Sequence, residues 1–408
     1  MTQVAPPLSI DGHAPTKQVH PSTADELADA LQAANNAGKA VTPVGGGTQL
    51  GLGMPPERVD LALHTTKLKR VVEYEPADLT VTVEAGISLA DLQTLLAEQG
   101  QFLALDPPVD AAATIGGVLA TNASGPLRFA YGTARDLVIG TRVANTDGTL
   151  TRSGGRVVKN VAGYDLNKLY IGALGTLGIT VEVSFKLAPI PPASATVVGA
   201  FASLNDIRGL AASVVHSPLA PHAIELLAPG AATTAGLGSQ PALVLRVGGY
   251  EAAVQRQARD LSALIGQHGG TVVETAPSVW ADLAAMQGSR RPLLVKASVP
   301  IAQSVAVVDV LQRELASLEP AVWAHAGNGV AYAACDAPAD ATLLRTLRQR
   351  VAGLGENASL VIVACPTPLK SEIDVWGEPT ASIALMRAIK TKLDPKRTLN
   401  PGRYLGGI

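Results

Sequence analysis

The chain contains two cysteines, Cys335 and Cys365, and no C-x-x-C pair. That excludes a disulfide framework, and no iron–sulfur or structural zinc site is readable from two separated thiols. Buried, inert positions are the ordinary place for them. Aromatic residues are only 3% of the chain, too few for the stacking platforms that bind single-stranded nucleic acid. An excess of either charge is also missing: Lys+Arg 32 stand against Asp+Glu 34, a formal net charge of -2. There is therefore no footprint for nucleic acid or for an anionic membrane surface. No apolar run reaches the ~18–20 residues of a membrane-crossing helix, and the first residues lack the apolar core of a secretory signal. The expected location is the cytoplasm, with membrane association at most peripheral.

What is present points to a compact, multi-domain protein. The 408 residues are 47% apolar and only 16% charged, which suffices for sizeable cores in roughly two or three domains. Forty glycines and 28 prolines are spread along the chain rather than in blocks. That distribution fits many tight turns and a small-molecule site lined by backbone.

The first part alternates helix and strand. Ser22 with Asp25 three residues on resembles a capping box, and Leu27, Leu31 and Ala34 share one helical face before Gly38. A second helix is expected from Ser88, again with an acid, Asp91, three residues on. Strands are expected over residues 40–44, 58–63, 79–84, 137–144 and 179–187, with Asp147-Gly148 as a hairpin turn. Pro189, Pro191 and Pro192 mark the best domain boundary. Beyond it, residues 195–375 read as two rough passes of an α+β unit, an antiparallel sheet with helices on one face. A last helix over 380–393 leads into DPKRTLNPGRY.

The most informative stretch follows the strand at 40–44: Gly45-Gly46-Gly47-Thr48-Gln49. Consecutive glycines let backbone N–H groups turn toward a ligand, which cradles phosphate without cations. Two other phosphate loops are excluded. The G-x-G-x-x-G pattern needs glycine where Leu50 stands, and the G-K-[ST] of the P-loop is absent, since Gly38-Lys39 precedes Ala40. Two further glycine-rich, low-charge stretches follow: Thr114-Ile-Gly116-Gly117 through Thr121, Ser124 and Gly125, and Gly154 through Gly178-Ile179. A long ligand with an anionic middle accounts for all three economically.

In this order, VTPVGGGTQLG, ATIGGVLATNASGPLRFAYGTARD, GYDLNKLYIGALGTLGITVEV and DPKRTLNPGR resemble the FAD-binding proteins of the vanillyl-alcohol oxidase type. Within them the nearest likeness is to the FAD-binding subunits of bacterial glycolate oxidase. The resemblance implies an α+β fold in two parts: an FAD-binding domain over 15–190 with a C-terminal return over 376–408, and an antiparallel α+β cap over 195–375. It implies that Gly45, Gly46, Gly47, Thr48 and Gln49 bind the pyrophosphate. Thr114, Gly116, Gly117, Thr121, Ser124 and Gly125 would run beside pyrophosphate and flavin, continued by Tyr131, Gly132 and Asp136. Gly178 and Ile179 would meet the adenine end, and Asn400 of Asn400-Pro401-Gly402 would close the site. Lys159, Arg403 and Arg135 are candidate cations beside the flavin, which carries the redox chemistry. The family's covalent flavin uses a histidine or cysteine near the glycine loop. None stands there, so non-covalent FAD is expected.

The sequence departs from the family in one place. Metal-dependent members carry H-x-G-D-G-N-x-H in the cap, whereas this chain has His325-Ala-Gly-Asn328-Gly-Val-Ala-Tyr332. One imidazole does not make a catalytic metal site, so no metal is expected. Catalytic candidates are then His325, Lys159 and Arg403. The implied function is a flavin subunit of a multi-subunit glycolate, or 2-hydroxy acid, oxidase. Its partners would be a second flavoprotein with the full metal set and an iron–sulfur subunit. A self-sufficient FAD oxidoreductase, or an assembly subunit with structural FAD, stays open.

Overall fold

The structure, a computed structural model, describes residues 8–108, 110–157, 163–288 and 291–408. The first helix, Ala24–Asn36, is capped one residue later than expected. Thr23 Oγ1 accepts the Glu26 N–H at 3.1 Å, and the Glu26 carboxylate accepts the Ser22 N–H at 2.7 Å. The glutamate reaches back where an aspartate at position 25 is too short and one step out of phase. Leu27, Leu31 and Ala34 are buried as their spacing requires. They cover a parallel three-stranded sheet in which Leu61–His64 lies between Lys17–Val19 and Val41–Val44. The second helix, Leu89–Ala97, is capped by Ser88 as its sequence predicts.

A five-stranded antiparallel sheet follows, in the order Val71–Glu75, Thr80–Glu84, Ile179–Lys186, Val138–Ala144, Leu150–Gly154. The Asp147-Gly148 turn joins its last two strands.

Residues 193–364 build an eight-stranded antiparallel sheet. Its central strands run Ala223–Leu227, Ala321–His325, Val330–Cys335, Leu293–Ser298 in space. Side chains alternate across a strand. Val295, Ala297, Val322, Ala324, Ala331 and Ala333 pack against the helices Leu204–Val215, Glu251–Gln267, Ser304–Glu314 and Ala341–Ala352. Leu294, Trp323, Val330, Tyr332 and Ala334 lie on the other face. That face is not bare, as the sequence pattern had it. Helices Pro229–Thr234 and Val279–Gly288 cover part of it through Ala231, Ala232, Leu283 and Met286. The first is short and built of small residues, and the second is apolar on several sides, so neither shows an amphipathic stripe.

The chain then returns to its beginning. After the helix Ile383–Leu393, Asp394 is fully buried and pairs with Lys390 at 2.7 Å. Lys390 Nζ also donates to the carbonyls of Thr176 (2.8 Å) and Leu399 (2.9 Å), and Asp394 accepts the N–H groups of Thr398 and Leu399. So fixed, residues 398–400 lie along the strand Val41–Val44, with Val41 N–H to Thr398 O at 2.7 Å and Asn400 N–H to Val41 O at 3.0 Å. Among the described residues no helix is long and apolar enough to cross a membrane.

Candidate functional site

The strand Val41–Val44 delivers the chain into Gly45-Gly46-Gly47, and two of these glycines are dictated by contact. A Cβ on Gly45 would fall on Thr114 Oγ1, and one on Gly46 would fall on the carbonyl of Ala112. The third, Gly47, adopts the left-handed conformation, φ +72°, where glycine is the default residue. The loop is thus clamped against segment 112–114, Gly46 on its backbone and Gly45 on the Thr114 side chain. Thr114 in turn caps the helix Ile115–Thr121, accepting the Gly117 N–H at 3.3 Å.

A cavity surrounds this loop, walled by Gly45 to Leu50, Thr114, Gly117 and Thr121. Three buried side-chain atoms in its wall have no partner: Thr42 Oγ1, Asn400 Oδ1 and Arg403 Nη1. Buried polar groups are nearly always satisfied, so three orphans around one cradle mark the place of a polar ligand. On one side lies a small groove formed by Thr65, Gly116, Tyr170, Gly178 and Ile179. On the other, sharing Gly47, Thr48, Gln49, Leu50, Thr121 and Leu174, opens a chamber of about 720 Å³. Its roof is the eight-stranded sheet, through Leu294, Lys296, Ser298, Tyr332, Val361 and Val363. A long molecule with a diphosphate in its middle fits this sequence of groove, cradle and chamber.

The structure brings together Gly45, Gly46, Gly47, Thr48, Gln49, Thr114, Gly116, Gly117, Thr121, Gly178, Ile179 and Asn400, and Ser124 lines the chamber. Four expected residues lie elsewhere. Gly125 packs against the carbonyl of Asp106. Tyr131 meets Phe102 and His222 edge-on, at 5.5 and 5.4 Å between ring centroids, in a separate outer groove. Gly132 and Asp136 belong to a turn: Asp136 accepts the Thr133 N–H at 2.8 Å, and that bond holds its carboxyl below the usual range. The reason is local, since residues 126–137 form two short helices that leave the trough.

Arg403 Nη2 donates to the carbonyls of Leu50 and Leu52, which aims Nη1 at the cradle. Arg135 lines the chamber and donates to the Lys168 carbonyl at 2.9 Å. Lys159 lies outside the described residues. Cys365 is in the chamber wall, where burial pushes its thiol up, away from the reactive thiolate. Among the described residues, the walls of groove and cradle hold no histidine or cysteine.

His325 has a partner that sequence reasoning missed. Its Nδ1 meets Glu225 Oε1 at 2.7 Å, with both side chains buried. Its Nε2 and the Asn328 Oδ1 are buried without partners. His325 itself does not wall the chamber; Tyr332, edge-on to it at 5.5 Å, does. Burial raises the Glu225 carboxyl, against the pull of His325, and lifts the nearby Asp106 to about 7. It also pushes the Tyr332 phenol up, so that hydroxyl stays a donor. Among the described residues no three His, Cys, Asp or Glu are placed to hold a metal ion. Lys296 and Glu225 did carry a sequence signal. Each is the lone charge in a largely apolar strand, LLVKAS and AIELL, and such a charge needs a partner or a ligand.

A backbone cradle for a diphosphate, opening into a chamber under an antiparallel sheet, defines an FAD-linked oxidoreductase. Residues 15–154 match the FAD binding domain family, and residues 378–404 match the C-terminal domain of FAD linked oxidases. It is 26% identical, over 95% of its length and 88% of the relative's, to glycolate oxidase subunit GlcD of Bacillus subtilis. To glycolate oxidase subunit GlcE of Escherichia coli it is 36% identical over 44% of its own length and 47% of that protein's. The fold is that of p-cresol methylhydroxylase, with a TM-score of 0.74 over 97% of this chain and 90% of that one, at 17% identity.

Proposed function

We propose that the chain is the FAD-bearing subunit of a cytoplasmic, multi-subunit oxidase of small 2-hydroxy acids such as glycolate. In this reading residues 15–190 with 376–408 hold the cofactor, and 195–375 cap it. The carrying observation is the charge of the chamber. Among the described residues its charged walls are Arg135, Arg291, Lys296 and Asp11; Asp11 is paired with Lys370 at 2.9 Å and Arg291 with Asp336 at 2.7 Å, which leaves Arg135 and Lys296 as the cations without a carboxylate partner. A chamber with this surplus of cations suits a small carboxylate.

The N–H groups of Gly45 to Gln49 would bind the diphosphate, with Thr42, Asn400 and Arg403 closing around it. Thr114, Gly116, Gly117, Thr121 and Ser124 would flank the rest, and Gly178 with Ile179 the adenine end. FAD, when bound, supplies the two-electron acceptor. This chain's residues hold the acid by its charge, keep Tyr332 protonated as a donor, and exclude water beneath the sheet.

The likeness to two glycolate oxidase subunits supports an assembly. A second flavoprotein with the complete metal set, and an iron–sulfur subunit, are the partners proposed, because His325 here is tied to Glu225 and Tyr332 stands where a second ligand histidine would be. A divalent ion that binds hydroxyl and carboxylate oxygens lowers the alcohol's pKa, and nothing at His325 replaces that charge. The cations of the chamber favour a second reading, in which this chain oxidises the acid unaided. Anaerobic mixing with glycolate or D-lactate, followed by flavin absorbance, separates the two. We expect rapid bleaching in the co-purified complex and slow bleaching in the isolated chain. Equal rates would establish the second reading, and no bleaching in either would remove the hydroxy acid.

A further inference from the structure

The outer groove that Tyr131 walls has a volume of about 340 Å³ and shares no wall residue with the chamber or the cradle. Small-molecule sites have volumes of ~300–1,000 Å³. The groove lies where three pieces of the chain meet. Phe102 and Tyr131 come from the first part, Ile190 from the connector, and Ser194, His222 and Arg246 from the cap. The Ile190 N–H donates to the Gly100 carbonyl at 2.8 Å, which fixes the connector beside the first part. Ile190 nonetheless keeps 43% of its surface exposed, so part of the groove's apolar wall is left uncovered.

One cation dominates this wall. The Arg246 guanidinium lies over the Trp280 indole, 5.7 Å from the ring centroid. Trp280 Nε1 donates to Thr196 Oγ1 at 2.8 Å, and Thr196 stands directly opposite Arg246 on the neighbouring strand. The His222 N–H donates to the Arg246 carbonyl at 2.6 Å, which keeps the imidazole beside the same strand. Burial first, and the Arg246 charge second, lower the His222 pKa, so the ring is neutral at neutral pH. Burial raises the Tyr131 phenol against the pull of Arg246, so its hydroxyl stays a donor. Arg246 acts on both rings, and that places the three polar groups around one spot. Among the described residues its side chain has no hydrogen bond or ion pair, and no Asp or Glu walls the groove. A guanidinium laid on an indole keeps its in-plane N–H groups free, in the fork that matches a carboxylate.

We propose that this groove is a second ligand site, for a small monocarboxylate with an apolar, ring-sized body. Arg246 takes the carboxylate, with the Tyr131 hydroxyl and the His222 imidazole as uncharged hydrogen-bonding groups beside it. The apolar body lies against Phe102 and Ile190, where ring edges favour an aromatic occupant. Because the walls come from the first part, the connector and the cap, an occupant ties the two parts together. The inference stands apart from the proposed function, since groove and chamber have no residue in common.

The test uses the full, FAD-loaded chain and phenylacetate, with uncharged phenylacetamide as control. Binding is read by calorimetry and by thermal melting. Phenylacetate should bind saturably and raise the melting temperature, as a ligand of the folded state does, and phenylacetamide should do neither. Arg246→Gln should weaken phenylacetate at least tenfold at unchanged flavin content. Ser194→Glu, which sets a carboxylate at an exposed position of the same wall, should abolish binding. Lys296→Met, which removes a cation of the chamber, should leave the affinity unchanged. No saturable binding of phenylacetate, or equal binding of phenylacetamide, overturns the site. Wild-type affinity in Arg246→Gln does so too, as does a tenfold loss in Lys296→Met, which would move the ligand to the chamber. If Arg246→Gln fails to fold, wild-type affinity in Ser194→Glu overturns it.

Discussion

Gly46 and Gly47 stand side by side for different reasons. Gly46 has no room: a Cβ meets the Ala112 carbonyl, which is backbone and cannot rotate aside. Gly47 has room but needs a positive φ, which costs a residue with a Cβ about 1–2 kcal/mol. We expect Gly46→Ala to lose FAD and to lower the melting temperature clearly, and Gly47→Ala to keep most of its flavin. The flavin-to-protein ratio and a thermal melt decide it, and full flavin in Gly46→Ala would show that the clamp is dispensable. The glycine run announced a phosphate cradle in the sequence, but the partner of Gly46 lies 66 residues on, counting from 46 to 112, beyond any local pattern. The same distance problem hid the environment of His325. Its place in a recognisable motif was legible, whereas Glu225, 100 residues earlier, looked like one acid in an apolar strand.

Among the elements, most strands and most helices of both parts were legible because alternation and 3.6-residue periodicity report burial directly, whereas the edge strands Lys17–Val19, Val71–Glu75 and Thr271–Val273, largely exposed, were not. The two helices on the chamber face were not, since small or all-round apolar segments carry no stripe. Nor was the turn that takes Tyr131, Gly132 and Asp136 out of the trough, because their hydroxyl and carboxylate groups suit a cap as well as a ligand. The C-terminal return was visible as a motif, and the structure adds what anchors it. Removing one member of a buried ion pair typically costs about 3–5 kcal/mol. Asp394→Asn leaves Lys390 without its counter-charge and weakens the acceptor for Thr398 and Leu399. We expect that variant to unfold at lower temperature and to bind FAD poorly, since Asn400 and Arg403 depend on the same return. Normal flavin content would mean that the return holds its place without the pair.

For the molecule as a whole, the cradle is walled by segments that are far apart in the chain, from Thr42 to Arg403, and a cofactor held there as proposed would bridge them. A ligand that binds only the folded state stabilises it by mass action, about 2.7 kcal/mol at a hundredfold excess over its dissociation constant. The melting temperature should therefore climb with added FAD and keep climbing past stoichiometry. Because, among the described residues, no histidine or cysteine walls groove or cradle, acid precipitation should release the yellow flavin into the supernatant. Flavin that stays in the pellet would establish a covalent bond, with Cys365 in the chamber wall the first residue to examine.

The strand Leu293–Ser298 answers to two separate demands. Val295 and Ala297 are held by the helices behind the sheet, while Leu294, Lys296 and Ser298 look into the chamber. A change at one set is a question of whether the chain folds, and a change at the other is a question of what it binds. Selection can act on each without disturbing its neighbour one residue away. Under the proposed function, editing alternate letters of this single strand changes which acid is held, while the fold is kept intact.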